Sequence, residues 1–81
     1  MAKILYFSTL AERLGTTAED LKLPPGVQDL RGLLKLLRMR GEEWPVYLVD
    51  EKIQATVNKN FVELDAGIND QDEIGLMLSR R

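Results

Sequence analysis

The residues of this sequence with the most chemical potential are carboxylates that come in adjacent pairs: Glu19-Asp20, Glu42-Glu43, Asp50-Glu51 and Asp72-Glu73. A carboxyl acts as a general acid only when a buried cleft lifts its pKa toward neutrality. These pairs instead fall in or beside turn-forming residues, where acidic side chains aid solubility and turn formation. Asp70, Asp72 and Glu73 superficially resemble a hard-cation cluster. The segment lacks the glycine and the distant bidentate glutamate of a calcium loop. No glycine run is spaced to cradle a phosphate. The chain has no cysteine and no histidine, so thiolate nucleophiles, disulfides, imidazole bases and the commonest metal ligands are all excluded. The expectation is a protein that is not an enzyme and has no catalytic, cofactor-binding or metal site.

The 81 residues fit one domain, residues 1–81, near the lower size at which a core suffices without staples. A chain this short leaves little room for a deep cleft. Its net charge of −2, from 11 basic and 13 acidic residues, lacks the basic excess of a nucleic-acid binder. Apolar stretches such as Ile4-Leu5-Tyr6-Phe7 are too short to span a bilayer. No charged leader with an apolar run precedes them. A cytoplasmic domain, bound to neither nucleic acid nor membrane, is expected.

Several elements can be read from the pattern of residues. Lys3 to Phe7 is apolar on both faces, as in a central strand. Ser8 or Thr9 can cap a short turn over Leu10 to Leu14, stopped by Gly15. Ala18 to Leu23 reads as a second strand paired with the first, ended by Pro24-Pro25-Gly26. The clearest element is a helix from about Val27 to Arg40, because Val27, Leu30, Leu33, Leu34 and Leu37 recur on one helical face. Gly26 offers its N-cap and Gly41 its C-terminal stop. Arg31, Lys35 and Arg38 share the opposite side, either as a solvated face or as a docking stripe for an acidic partner.

Beyond the helix, Trp44-Pro45 reads as a packed connection and Val46 to Val49 as a short strand. Ile53, Ala55 and Val57 alternate with polar neighbours as in a half-buried strand. Phe61-Val62 reads as a brief edge strand. A last strand runs from Glu73 to Leu78, with Ile74, Leu76 and Leu78 on one face and Gly75 and Met77 on the other.

Strands, one long helix and further strands predict an α+β domain with a mixed sheet and one main helix across it. The β-grasp, or ubiquitin-like, arrangement accommodates every element in order. Its first and last strands lie parallel at the centre, with Ile4, Tyr6, Ile74 and Leu76 toward the helix. Leu5, Phe7 and Met77 then face outward, near Phe61. An exposed apolar patch of this kind marks an interaction surface. The alternative is that loops or the short Leu10–Leu14 helix cover these residues.

The opening from Met1 to Gly15 resembles that of the MoaD/ThiS sulfur-carrier family, which includes the small subunit of molybdopterin synthase. So do Leu23-Pro24-Pro25-Gly26-Val27 with Asp29-Leu30 and Leu33-Leu34, where that family enters its helix. Ala55 to Asn60 resembles its Val-Asn strand end. Ile68 to Ile74 resembles its turn into the last strand, with Gln71 where glycine is usual. The resemblance runs through nearly the whole chain.

The resemblance implies a β-grasp fold and a place in molybdenum cofactor biosynthesis. In that family an ATP-dependent ubiquitin-activating-like enzyme adenylates a C-terminal Gly-Gly. Sulfur transfer then displaces AMP to leave a thiocarboxylate, which delivers sulfur within the large synthase subunit. Both proteins are implied partners, and Phe7, Phe61 and Met77 fall where the family docks them. A carrier whose reactive group is its own chain end needs neither histidine nor cysteine. The sequence departs from the pattern at Ser79-Arg80-Arg81, which stands in place of Gly-Gly. Glycines pass a narrow channel without a Cβ, whereas Arg80 and Arg81 are expected to be rejected by it. Either the chain is truncated or altered, or it keeps the docking surface and has lost the carrier chemistry. A carrier for thiamin or another thiolated product, and a β-grasp module that only binds, are the competing readings.

Overall fold

In the computed structural model, which describes residues 1–79, five strands form one mixed sheet. They are β1 (Ala2–Tyr6), β2 (Ala18–Leu21), β3 (Ile53–Val57), β4 (Asn60–Val62) and β5 (Glu73–Leu78), in the order β2-β1-β5-β3-β4. The first and last strands are parallel neighbours in the interior of the sheet, with Ile4 opposite Ile74 and Tyr6 opposite Leu76. Every other pairing is antiparallel. This is the expected β-grasp arrangement.

The helix α2 (Leu30–Arg38) lies across one face. Leu30, Leu33, Leu34 and Leu37 are fully buried and meet Ile4, Ile74 and Leu76, also fully buried, from the sheet. Each such side chain contributes about 1.5–3 kcal/mol of transfer free energy, so this stripe is the main source of stability in a chain without covalent staples.

The helix is shorter than its periodicity predicts. It starts at Leu30, and its N-cap is Asp29 rather than Gly26. The cause is tertiary. The Asp29 carboxylate accepts the Gly32 N–H at 2.8 Å. Loop carbonyls of Ala66 and Leu64 accept those of Leu30 and Arg31 at 3.2 and 2.9 Å. Three of the N–H groups that a helix start leaves orphaned are thereby satisfied. Asp29 also bridges to Gly67, and the Gln28 carbonyl accepts from Ile68. These contacts hold the preceding residues extended, so Val27 packs on the core without joining the helix. At the other end Arg38 is the last helical residue and Gly41 turns the chain with φ +80°.

Three further readings are corrected. The second strand stops at Leu21 instead of Leu23, because the Leu23 N–H is taken by the Asp70 carboxylate at 2.8 Å. The short helix α1 (Ser8–Leu14) begins earlier than Leu10, and neither Ser8 nor Thr9 caps it: the N-cap is Phe7, without a side-chain bond. Val46 to Val49 is not a strand, for residues 44–47 form the helical turn α3 (Trp44–Tyr47). Proline is tolerated in a first helical turn, where its missing N–H is no loss. The turn also sets the Trp44 ring edge-on to Tyr6 at 5.6 Å, under the Arg40 guanidinium at 4.5 Å.

Candidate docking face

The face of the sheet opposite α2 is built by alternation. Tyr6 points into the core, so Phe7, still extended at φ −112° and ψ 148°, points the other way. Its N–H donates to the Leu76 carbonyl at 3.1 Å, which carries the β1–β5 pairing one residue beyond the strand. Phe7 therefore sits beside Met77. One register step back, Leu5 pairs with Gly75, Gly75 with Thr56 and Thr56 with Phe61. The row crosses from β1 to the edge strand β4 on one face.

Phe7 is 41% exposed and Phe61 65% exposed, while Met77 is half-buried. The short helix α1 turns Leu10 into the core and packs Ala11 and Leu14 against it; it leaves these two aromatic rings in contact with solvent. Phe7 and Met77 are brought together by register. Phe61 stands two strands beyond Met77, at the sheet edge.

Gly75 was legible in the sequence only as a residue inside a strand. In the fold it is buried. A Cβ at this position would collide with Thr56 Oγ1 and come within 2.8 Å of Phe7 Cε2. Glycine inside a strand often marks a close approach of this kind, and that signal could have found it.

β5 ends at Leu78, opposite Ile53, and the Ser79 N–H donates to the Lys52 carbonyl at 2.7 Å. Ser79 lines an open groove of about 460 Å³ beside β3 and β4, together with Asp50, Phe61 and Glu63. Arg80 and Arg81 lie outside the described residues.

Of the carboxylates considered for chemistry, Glu19, Asp50, Asp70 and Asp72 make structural contacts. Asp50 binds Arg31 at 3.1 Å and Arg38 at 3.0 Å. The two arginines of the supposed stripe on α2 are thus answered from within the chain. Glu19 holds Arg40 through both oxygens, at 2.7 and 3.0 Å. It also accepts the Tyr6 hydroxyl at 3.2 Å. Burial, with the negative charge of Glu19 beside it, holds the Tyr6 phenol well above the usual tyrosine range, and the hydrogen bond to Glu19 raises the Arg40 guanidinium further. Asp72 accepts the Asn69 N–H and the Asn58 amide at 2.9 and 3.0 Å. Among the described residues, no group of three or more acidic, histidine or cysteine side chains could hold a metal ion.

The family model for the ThiS family matches residues 4–78. The chain belongs to the ThiS family. This ThiS-family chain is also similar to solved structures. One is a Pyrococcus furiosus protein provisionally described as molybdopterin converting factor, subunit 1. The TM-score is 0.75 at 24% identity, over 95% of this chain and 94% of that one. Another is the small archaeal modifier protein 1 of Methanosarcina acetivorans. Its TM-score is 0.70 at 22% identity, over 98% of this chain and 92% of that one. At these identities the two likenesses speak for the fold alone. No curated protein sequence matches at a significant level. The fold is that of ThiS/MoaD-type sulfur carriers and ubiquitin-like modifiers. No helix among the described residues is long and apolar enough to cross a membrane.

Proposed function

We propose that this ThiS-family chain serves molybdenum cofactor biosynthesis as a MoaD-like small subunit. In this reading it docks partners through Phe7, Phe61 and Met77 and performs no catalysis of its own. The supporting observation is the sheet face opposite α2, which leaves Phe7 exposed at the end of the parallel β1–β5 pair and Phe61 exposed on the edge strand β4. Large aromatic and methionine side chains of this kind anchor interface cores. The proposed partners are the large subunit of molybdopterin synthase and an ATP-dependent ubiquitin-activating-like enzyme, met in the cytoplasm. A carrier for thiamin or another thiolated product is the alternative, and which activating enzyme and acceptor the chain binds distinguishes the two. β5 carries the chain to Ser79 at one end of the docking face, so a partner seated there lies beside the exit of the last strand.

The test is the intact mass of the protein after incubation with the activating enzyme, ATP and a sulfur donor, with a Gly-Gly-extended variant in parallel. In the same experiment, binding to the large synthase subunit is measured by calorimetry. Binding together with an oxygen-to-sulfur mass change in the unextended chain identifies a working carrier. Binding with sulfur uptake only by the extended variant identifies a docking module. That second reading draws on the same exposed face, which needs no reactive chain end. Absence of binding by either form would defeat the proposal.

A further inference from the structure

The Phe7 ring does not simply protrude from the sheet. Its Cε2 atom lies 2.8 Å from where a Cβ of residue 75 would stand, and Thr56 Oγ1 closes on the same point from β3. The ring therefore leans across β5 into space that only the missing side chain of Gly75 provides. Every other outward position in the row, Leu5, Thr56 and Phe61, carries a side chain.

The residue after the ring is unusual as well. Ser8 has φ +50°, a left-handed conformation that non-glycine residues rarely adopt. It starts α1 immediately behind Phe7, whose carbonyl accepts the N–H groups of Leu10 and Ala11 at 3.1 and 3.4 Å. The Phe7 backbone is thus held on both sides, by Leu76 in front and by α1 behind.

The geometry points to Gly75 as a positioning residue of the docking face: by lacking a side chain it seats the Phe7 ring across β5 and holds it there as an anchor. This inference rests on the docking reading above. A side chain at residue 75 would lift the ring from this seat. The lost quantity is preorganisation, which affects affinity because an anchor already held in place costs less to immobilise on binding.

The experiment is a double-mutant cycle in a Thr56→Ala background, where a Cβ at residue 75 meets only the Phe7 ring. Binding to the large synthase subunit is measured for this background and for Gly75→Ala, Phe7→Ala and their combination within it. Gly75→Ala is expected to weaken binding roughly ten- to hundred-fold, as Phe7→Ala does, and to cost nothing further once Phe7 is alanine. A merely structural defect would instead weaken both backgrounds alike. Loss of binding by Phe7→Ala with full binding by Gly75→Ala overturns the positioning role alone. Full binding by Phe7→Ala overturns the docking reading and this inference with it. A partner-free measurement keeps the seat testable should Gly75→Ala fail to fold. In the wild-type protein the Gly75 α-proton resonances are expected upfield of those in Phe7→Leu, from the ring current. Identical shifts in the two proteins would show that the ring does not lie there.

Discussion

The Tyr6 hydroxyl donates to Glu19 Oε1 at 3.2 Å from a side chain only 3% exposed, and the same carboxylate is clamped by Arg40. Ionising this phenol would place a second negative charge beside Glu19 in a desolvated site, so burial first and Glu19 second raise its pKa. A pKa raised in the folded state means the folded state keeps its proton longer than the unfolded chain does. The associated stability is fully present below the unfolded value, about 10, and is lost as pH rises beyond it toward the folded value. Stability measured by urea denaturation is expected to fall above that pH, and Tyr6→Phe to flatten the fall. An alkaline limb of equal steepness in Tyr6→Phe would assign the loss to other groups.

Phe7 is partly exposed and its backbone is anchored by β5 and α1, so truncating its ring should leave the fold standing. Phe7→Ala is expected to weaken binding to the large synthase subunit by about 1–3 kcal/mol while far-ultraviolet dichroism stays unchanged. Equal affinity in a calorimetric titration would remove Phe7 from the docking face.

Leu33 and Leu37 lie in the opposite layer, fully buried between α2 and the sheet. Leu33→Ala or Leu37→Ala should cost about 2–5 kcal/mol, combining lost transfer energy with a cavity that the neighbours fill only in part. The denaturation midpoint reads this directly, and an unshifted midpoint would mean that the stripe is not the core.

Asp29 caps α2 through the Gly32 N–H. Asp29→Ala should lower stability by about 0.5–2 kcal/mol, whereas Asp29→Asn, which keeps an acceptor, should lose far less. Equal losses in the two variants would indicate that charge rather than the hydrogen bond matters here.

β3 and β4 are joined by Asn58 and Lys59, with φ of +50° and +75°, in the manner of a two-residue type I′ turn. Asn58 tolerates the left-handed region and is further held by Asp72 and Glu73. Lys59 has no such compensation in its backbone geometry. Lys59→Gly is therefore expected to raise stability by about 1 kcal/mol, seen as a higher thermal midpoint. A lowered midpoint would show that the lysine side chain contributes more than its backbone strain costs.

Periodicity alone determined much of this molecule. The stripe of Leu30, Leu33, Leu34 and Leu37 and the alternation of Ile74 and Leu76 with Gly75 and Met77 are local properties of the chain. They name the buried faces before any partner element is known. The absence of cysteine and histidine likewise decided which chemistry the side chains could not do. The outward direction of Phe7 and Met77 came from the same alternation.

Other features were decided only in three dimensions. The start of α2 depends on carbonyls of Leu64 and Ala66, more than thirty residues away, which take its first N–H groups. Val46 to Val49 read as a strand until Trp44 had Tyr6 and Arg40 to pack against and residues 44–47 closed into a helical turn. The two arginines of the cationic stripe on α2 are paired because Asp50, remote in sequence, folds back onto Arg31 and Arg38. The seating of Phe7 over Gly75 belongs to this second group. It requires β1 and β5, from opposite ends of the sequence, to lie parallel side by side.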